Sequence, residues 1–323
     1  MTKYIIRRLL IAIPVIFAMI LATFAMIQAL PGGPFDTVGF RAMPEPIRLL
    51  MERRYGLDKP LYEQFFAYAG NLLQGDFGPL LRSSSQDVND VVGQTFPVSI
   101  QLGLLSLMLA FTIGIPAGII AALRHNSLLD HSATFLAVLG VSIPNLVLGP
   151  LLILIFGVYL GWLPIAFWGA DPPFILGFLP KPTLEFWTHA ILPTFTLGTG
   201  LSAIVARLTR AGLLDVLDED YIRTARAKGL REALVINRHA LKNSLIPVVT
   251  LLGPLLAGAV TGSLIVELIF ALNGMGRQFV GSVQSREYFL LTSLTLIYGT
   301  LLILGNLLVD IMYAWLDPRI RYD

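Results

Sequence analysis

Long apolar runs dominate this sequence and restrict the folds open to it. Six stretches are long enough to cross a bilayer, at roughly 9–30, 97–123, 133–160, 190–206, 244–270 and 289–316. A membrane-spanning helix needs about 20 apolar residues, and only helices and closed barrels satisfy their backbone polar groups inside lipid. Charged residues make up 14% of the chain, against about a quarter in soluble domains. The sequence therefore predicts an all-α polytopic membrane protein with six transmembrane helices.

The first apolar run follows a basic leader formed by Lys3, Arg7 and Arg8. Its uncharged stretch has 22 residues, longer than the ~7–15 residues of a secretory signal core. We interpret it as an uncleaved first span rather than a cleaved signal peptide. The chain then divides into a leader with the first span, an outer loop, a helical core and a short tail, at 1–30, 31–96, 97–316 and 317–323.

Lysine and arginine residues in the short loops predict the orientation of the chain. If the amino terminus is cytoplasmic, fourteen basic residues lie inside and nine outside, and six of those nine fall in the 66-residue loop 31–96. Long loops cross the membrane regardless of their charge, so the short loops decide. We expect a multi-pass protein of an inner or plasma membrane with both termini in the cytoplasm.

The long outer loop contains two helical patterns separated by the turn "YGLDKP". In the second pattern, Leu61, Phe65, Tyr68 and Leu72 recur on one helical face. This face predicts either a cap that packs on the membrane bundle or a docking surface for an extracytoplasmic partner. Packing is the commoner use of an apolar helical face.

The sequence lacks the motifs for chemistry within the chain itself. There is no cysteine, no GxxxxGK[ST] phosphate loop, no HExxH zinc spacing and no GxSxG nucleophile turn. We expect no catalytic residue, no metal ligand and no cofactor in this chain, and a net charge of +2 gives no reason to expect nucleic acid as a partner. Glu267 and Asp310 fall within apolar runs, where an acid is a candidate pathway or gate residue. An ion-coupled secondary transporter stays an alternative, although no ladder of acids suggests a proton relay.

The loop 207–243 between the fourth and fifth runs is the most basic part of the chain. It carries eight basic and five acidic residues. Taken alone, this charge predicts only a loop that stays in the cytoplasm or touches anionic lipid. The order of the charges at its centre indicates more.

A short helix is predicted near the middle of this loop. Glu219 and Asp220 stand at its start, and Arg226 and Lys228 stand at its end, an order that matches the helix dipole. Glu219 and Arg223 are spaced for an ion pair one turn apart. The helix would be about ten residues, or ~15 Å, in length.

The same segment has residues suited to contact with a second protein. Tyr221 and Ile222 provide an apolar anchor, and Ala225 leaves a low surface that a partner could approach closely. Gly229 fits the left-handed position just past a helix end.

The segment "EDYIRTARAKGL…RHALKNSLIPVVT" resembles the cytoplasmic coupling loop of permease subunits of ABC importers, in the peptide-uptake branch. Further matches in order along nearly the whole chain are "LPGGPF", "DVNDVVGQTFPVS", "VSIPNLVLGPLLILIFGVYLGWLP", "NGMGRQFV" and "DPRIRY". Of the wider ABC-importer pattern, the second alanine and the glycine remain as Ala225 and Gly229. Arg223 and Thr224 fit the form of the peptide branch.

The resemblance implies a type I importer fold with a helical outer loop and a cytoplasmic coupling helix. It implies a homologous second permease subunit, two cytoplasmic ATPase subunits that bind ATP and Mg²⁺, and an extracytoplasmic peptide-binding protein, assembled at a lipid bilayer. The chain would form half of a pathway for oligopeptides, with a dipeptide, nickel or other small-solute importer as the alternative. The residues implied to couple with an ATPase are Glu219, Asp220, Tyr221, Arg223, Thr224, Ala225, Arg226, Lys228 and Gly229.

Overall fold

Helices account for most of the protein. The computed structural model describes residues 2–29, 37–38, 41–42, 44–54, 56–81, 85–169, 174–175, 179–181, 183–260 and 264–316. The helices in chain order are α1 (Thr2–Ala29), α2 (Glu45–Arg54), α3 (Leu61–Leu73), α4 (Val88–Leu123), α5 (Leu128–Ser142), α6 (Asn145–Leu152), α7 (Leu184–Leu217), α8 (Asp220–Ala227), α9 (Glu232–Leu234), α10 (Leu241–Ser244), α11 (Ile246–Val260), α12 (Leu264–Ile269), α13 (Met275–Ser285) and α14 (Tyr288–Leu316). The predicted tail 317–323 lies outside the described residues.

Shorter elements complete the described chain. Two π-helical segments, Ile153–Tyr159 and Val235–Ala240, continue α6 and α9. Four two-residue strands form two antiparallel pairs, β1 (Thr37–Val38) with β2 (Arg41–Ala42) and β3 (Phe174–Ile175) with β4 (Leu179–Pro180). These strands are too short to add a second structural layer, so the fold is built from helix packing.

The apolar runs become helices, and some of them are divided. Within the described residues, α1, α4, α7 and α14 are long and apolar enough to cross a membrane. The α5 helix and α6 with its π-helical continuation form a fifth candidate, bent by 100° at the break. Ile143 has extended backbone angles (φ −84°, ψ 113°) because the following Pro144 disfavours a helical conformation there. The predicted fifth run is divided between α11 and α12, and 261–263 lie outside the described residues.

The fourth predicted span belongs to one of the longest helices. The apolar run 190–206 lies inside α7, which has 34 residues. Three of its hydroxyl groups bond to carbonyls of the helix itself, as the Thr196 hydroxyl does to the Leu192 carbonyl at 2.8 Å. Thr183 caps the start of the helix, where its side-chain oxygen accepts the Phe186 N–H at 3.2 Å. The apolar run therefore predicted the span itself but not the full length of the helix.

The α4 and α7 helices pack with their backbones in close contact. A Cβ atom at Gly118 of α4 would overlap the Ala206 carbonyl oxygen and the Thr209 side chain of α7. Small residues allow this direct approach of two backbones, which is how membrane helices commonly associate. Any side chain at Gly118 would push the two helices apart.

The α3 helix of the outer loop packs on the bundle. Phe65 and Tyr68 are buried against α1 and α14, and the Tyr68 hydroxyl is 2.9 Å from the Ser293 hydroxyl. Leu72 is partly buried in the same cluster, whereas Leu61 is 54% exposed. Burial raises the pKa of Tyr68 to about 12. This geometry agrees with the packed-cap interpretation of the loop, although no described residue of α2 is buried.

Candidate coupling site

A short helix lies where the charge order predicts one. The α8 helix has eight residues, about 12 Å, and Glu219 precedes it with extended backbone angles (φ −71°, ψ 147°). After the helix, Gly229 takes a φ of +73°, in the left-handed region that favours glycine. No atom lies within 4 Å of a Cβ placed at Gly229, so backbone conformation and not space explains the glycine.

One face of α8 is anchored in the protein. Ile222 is fully buried and Ala225 is 5% exposed, in a cluster with Ala122 of α4 and Leu213 of α7. Ile222 is thus an apolar anchor, as the sequence predicts. The prediction that Ala225 lies on the outer surface was wrong, because a residue three positions after Ile222 falls on the same helical face.

The opposite face of α8 is polar and exposed. The predicted coupling residues that are exposed are Glu219, Asp220, Tyr221, Arg223, Thr224, Arg226, Lys228 and Gly229. Tyr221 also holds the helix in place, since its hydroxyl oxygen accepts a hydrogen bond from Asn243 Nδ2 at 2.9 Å. The Thr224 hydroxyl donates to the Asp220 carbonyl at 2.9 Å within the helix.

Two ion pairs organise the charges of this exposed face. Arg223 Nη1 lies 3.3 Å from Asp220 Oδ1, so its acid partner is Asp220 and not the predicted Glu219. Arg226 binds Glu232 through two contacts, Nη2 to Oε1 at 2.7 Å and Nε to Oε2 at 3.2 Å. The Arg226 guanidinium lowers the pKa of Glu232 by hydrogen bonding to it. The sequence interpretation missed this pair because the chain must reverse after α8 to bring the two residues together.

A third ion pair joins the helices α5 and α7 near the start of the loop. Arg210 of α7 contacts Asp130 of α5 through Nε to Oδ1 at 2.6 Å and Nη2 to Oδ2 at 2.8 Å. The Asp130 side chain is 2% exposed and that of Arg210 is 28% exposed. Asn126 N–H also donates to Asp130 Oδ2 at 3.0 Å. In the sequence, Ser127 and Asp130 have the three-residue spacing typical of the start of a helix, and Ser127 caps α5. This spacing does not indicate that Asp130 pairs with Arg210.

Glu267 is engaged with its own chain at the opposite end of the bundle. It is fully buried, and its carboxylate accepts hydrogen bonds from the Ser99 hydroxyl at 2.8 Å and the Arg277 N–H at 2.9 Å. Arg277 lies in the first turn of α13, where helix dipoles favour a negative group. A Cβ at Gly274 would overlap this carboxylate. The side chain of Asp310, the other predicted gate residue, lies outside the described residues.

Among the described side chains, no group of three His, Asp or Glu residues is placed to hold a metal ion. What the site offers is a short charged helix, fastened by its apolar face to the ends of α4 and α7.

Family models match almost the whole chain. Residues 114–322 match the family described as "Binding-protein-dependent transport system inner membrane component". Residues 1–102 match the model of the amino-terminal part of such membrane components. The chain belongs to this family. It is therefore a multi-pass membrane component of a transport system.

Individual relatives of this membrane component agree with that assignment. The chain is 42% identical over 322 residues to "Oligopeptide transport system permease protein OppB" of Haemophilus influenzae, covering 100% of both. It is 41% identical over 321 residues to "Dipeptide transport system permease protein DppB" of Bacillus subtilis, covering 99% of this chain and 98% of that protein. A solved inward-facing structure of the MetNI methionine ABC transporter is similar with a TM-score of 0.54 and 16% identity, over 70% of this chain and 96% of that one. The last similarity shows that the fold is that of an ABC transporter membrane subunit.

Proposed function

We propose that this chain is the permease subunit of an ATP-driven peptide importer and that α8 docks on an ATPase. The observation that carries the proposal is the two-sided geometry of α8. Ile222 and Ala225 fasten one face to the protein, while Arg223, Thr224 and Lys228 are exposed on the other. A helix that only marked the cytoplasmic side would not need an apolar anchor in the bundle. Full-length similarity to two peptide-system permeases supports the choice of substrate.

The importer assembles from several proteins. This chain crosses the membrane six times with both termini in the cytoplasm, and a homologous second permease supplies the other half of the pathway. Two cytoplasmic ATPase subunits bind ATP and Mg²⁺, and an extracytoplasmic binding protein delivers the peptide. The match to a binding-protein-dependent transport family supports this set of partners.

Coupling proceeds through the anchor of α8. When nucleotide draws the ATPases together, the docked helix moves and pulls on the ends of α4 and α7, against which Ile222 is buried. The bundle then shifts between outward-open and inward-open populations, biased by the state of the ATPases. Glu267 and Asp310 are our candidates for pathway or gate residues, and Glu267 would act through α13, which its carboxylate caps.

The charges of α8 take different parts in docking. Lys228 and Arg223 are exposed and face acidic groups of the ATPase. Arg226 is already paired with Glu232 inside the loop and mainly keeps the exit from α8 in shape. Salt bridges at an exposed surface contribute little each, about 0–1 kcal/mol, so fit and not charge gives most of the docking energy.

A dipeptide importer is the second candidate. The chain is 41% identical to the Bacillus subtilis dipeptide permease, against 42% for the Haemophilus influenzae oligopeptide permease, so identity does not separate the two substrates. Uptake measured with labelled peptides of two to six residues separates them.

Substitution of Gly229 tests the role of α8. Gly229→Val forces a β-branched residue into a positive φ, at a strain of about 1–3 kcal/mol, whereas Gly229→Asn tolerates that conformation. A Cβ here meets no atom, so both variants fit the available space. We expect Gly229→Val to abolish peptide uptake by the assembled importer in vesicles, with insertion intact, and Gly229→Asn to retain it.

Two outcomes contradict the proposal. Unchanged uptake with Gly229→Val, while ATP hydrolysis still responds to the binding protein, shows that α8 does not couple. Purification of the chain from native membranes without stoichiometric ATPases, with uptake driven by an ion gradient, shows that it is not an importer of this class.

A further inference from the structure

A polar cavity opens at the end of the bundle where α4 and α14 begin. Its volume is 330 Å³, within the ~300–1,000 Å³ range of small-ligand pockets. It lies between the first turns of α4, the helix α13 and the start of α14. In the proposed orientation this is the extracytoplasmic end. The lining residues that matter here are Gln86, Gln94, Thr95, Asn273, Gln278, Gly281, Ser282, Ser285 and Glu287.

The lining is polar but almost without free charge. Amides and hydroxyls provide most of its polar groups. Among the described lining residues, Glu287 is the only ionisable one; it is 7% exposed, and its Oε2 accepts the Leu81 N–H at 2.8 Å. A ligand in this cavity therefore meets mainly neutral hydrogen-bonding groups, beside the one carboxylate of Glu287.

Several of these groups have hydrogen-bonding capacity left over. The hydroxyls of Thr95 and Ser282 donate to carbonyls of their own helices, at 2.8 and 2.7 Å, which leaves their oxygens as acceptors. Gln278 Nε2 donates to Asn273 Oδ1 at 3.2 Å, which leaves the Gln278 carbonyl and the Asn273 amino group. The structure shows no partner for the Gln94 amide among the residues it describes.

We infer that this cavity is a subsite for the main chain of the transported peptide at the outer mouth of the pathway. The inference rests on the proposed function. A peptide presents N–H and C=O groups whatever its sequence, and side-chain amides supply both complementary groups. Neutral contacts of this kind bind every peptide and release it again, as a conducting pathway requires.

A docking surface for the delivering protein is the competing occupant, and the lining argues against it. Contacts that dominate protein docking are enriched in Trp, Tyr and Arg, and none of the lining residues that the structure describes is of these types. Thr95 and Ser282 are each 1% exposed, so the polar floor lies in a recess that a thin chain enters. A peptide fits this shape better than a protein surface does.

The absence of cysteine from the sequence provides a direct test. Gly281 of α13 lines the cavity, and a Cβ there meets no atom within 4 Å. The matched control is Gly70 of α3, which is equally open but does not line the cavity. Gly281→Cys and Gly70→Cys are assembled with the ATPases and the delivering protein in vesicles. Both variants are exposed to a maleimide-bearing peptide during transport, and the rate of cysteine labelling is measured. Each labelling rate is divided by the rate with N-ethylmaleimide, which corrects for the reactivity of the cysteine itself.

We expect Gly281→Cys to react about tenfold faster than Gly70→Cys, and excess unlabelled peptide to remove the difference. Adding Gln94→Leu to Gly281→Cys removes one neutral amide while keeping the size of the side chain. Because one or two hydrogen bonds to the peptide are lost, the labelling rate of Gly281→Cys should fall about tenfold. Delivery is unaffected, because the change lies in the permease.

Three results overturn the inference. Equal rates for the two cysteines, or no effect of Gln94→Leu, mean that peptide main chain is not bound here. Protection of Gly281→Cys from N-ethylmaleimide by the delivering protein without peptide makes the cavity a docking surface. Peptide uptake by the wild-type importer is measured in parallel. If one of these results is found and the wild-type importer takes up peptide, only the inference about the cavity fails. If the wild-type importer takes up no peptide, the proposed function fails as well.

Discussion

Replacement of Arg210 by glutamine should destabilise the protein more than replacement of its partner Asp130 by asparagine. The two residues form one bidentate pair, but their surroundings differ. The Asp130 side chain is 2% exposed, whereas the Arg210 side chain is 28% exposed and reaches water without its partner. Removal of the cation therefore leaves a buried charge, and removal of the anion does not.

The structure sets the size of each effect. An uncompensated buried charge costs about 3–5 kcal/mol. Asn126 N–H, at 3.0 Å, and the Thr134 hydroxyl, at 3.4 Å, still donate to Asp130, so we expect about 3 kcal/mol for Arg210→Gln. Asp130→Asn loses charge-assisted hydrogen bonds and should cost about 1.5 kcal/mol. The double variant leaves no buried charge and should cost about 1.5–2 kcal/mol less than the sum.

Unfolding of the purified full chain in mixed micelles measures these values. The free energy of unfolding is obtained from titration with sodium dodecyl sulfate, followed by circular dichroism. Arg207→Gln is the control, because Arg207 lies on the same helix with an exposed side chain and should change stability by less than about 0.5 kcal/mol.

The reasoning is refuted by two patterns. Equal costs for Arg210→Gln and Asp130→Asn would mean that burial of the carboxylate does not matter. A double variant whose cost equals the sum of the two single costs would mean that the two side chains do not interact.

Two further predictions concern the outer end of the bundle. Gly274→Ala places a Cβ against the Glu267 carboxylate and should lower the free energy of unfolding by about 1–3 kcal/mol in the same assay, whereas Gly70→Ala, with open space around its Cβ, should not. Ultraviolet titration at high pH should show one tyrosine ionising at about 12 that is absent from Tyr68→Phe, because burial favours the neutral phenol. The folded-state pKa is raised, so this contribution to stability is complete below the unfolded value of 10.0 and is lost as pH rises through about 12. If the tyrosine that is lost in Tyr68→Phe ionises near 10.0 and not near 12, the burial of Tyr68 is contradicted.

Composition and periodicity predicted the helical membrane fold, but not where its helices begin, end and break. The α7 helix exceeds its apolar run at both ends, because hydroxyl side chains bond to helix carbonyls and charged residues continue the helix beyond the apolar part. The bend at Pro144 follows from local backbone sterics, yet the sequence contains many prolines in helices that stay continuous, such as Pro116 in α4 and Pro193 in α7. Only the surrounding packing distinguishes a kink from a break.

The position of the α8 helix was predicted correctly, whereas some of its contacts were predicted wrongly. Acids, bases and glycine placed α8 correctly within two residues, since capping and dipole effects act locally. Which face points inward depends on the neighbouring ends of α4 and α7, so Ala225 was assigned to the wrong side. The contacts Arg226–Glu232 and Asp130–Arg210 depend on a chain reversal and on a separation of 80 residues, and neither has a local signal.

The direct contact of α4 with α7 at Gly118 joins the two long helices so that they can move as one rigid unit. The α4 helix has 36 residues, about 54 Å along its axis, and its carboxy-terminal end contributes Ala122 to the cluster that buries Ile222. Two helices whose backbones touch cannot slide past each other easily, so a push on α8 turns them as one body. By the rise of an α-helix, a rotation of about 5° at that end displaces the far end by about 5 Å. Small movements of an ATPase would thus be magnified at the outer surface.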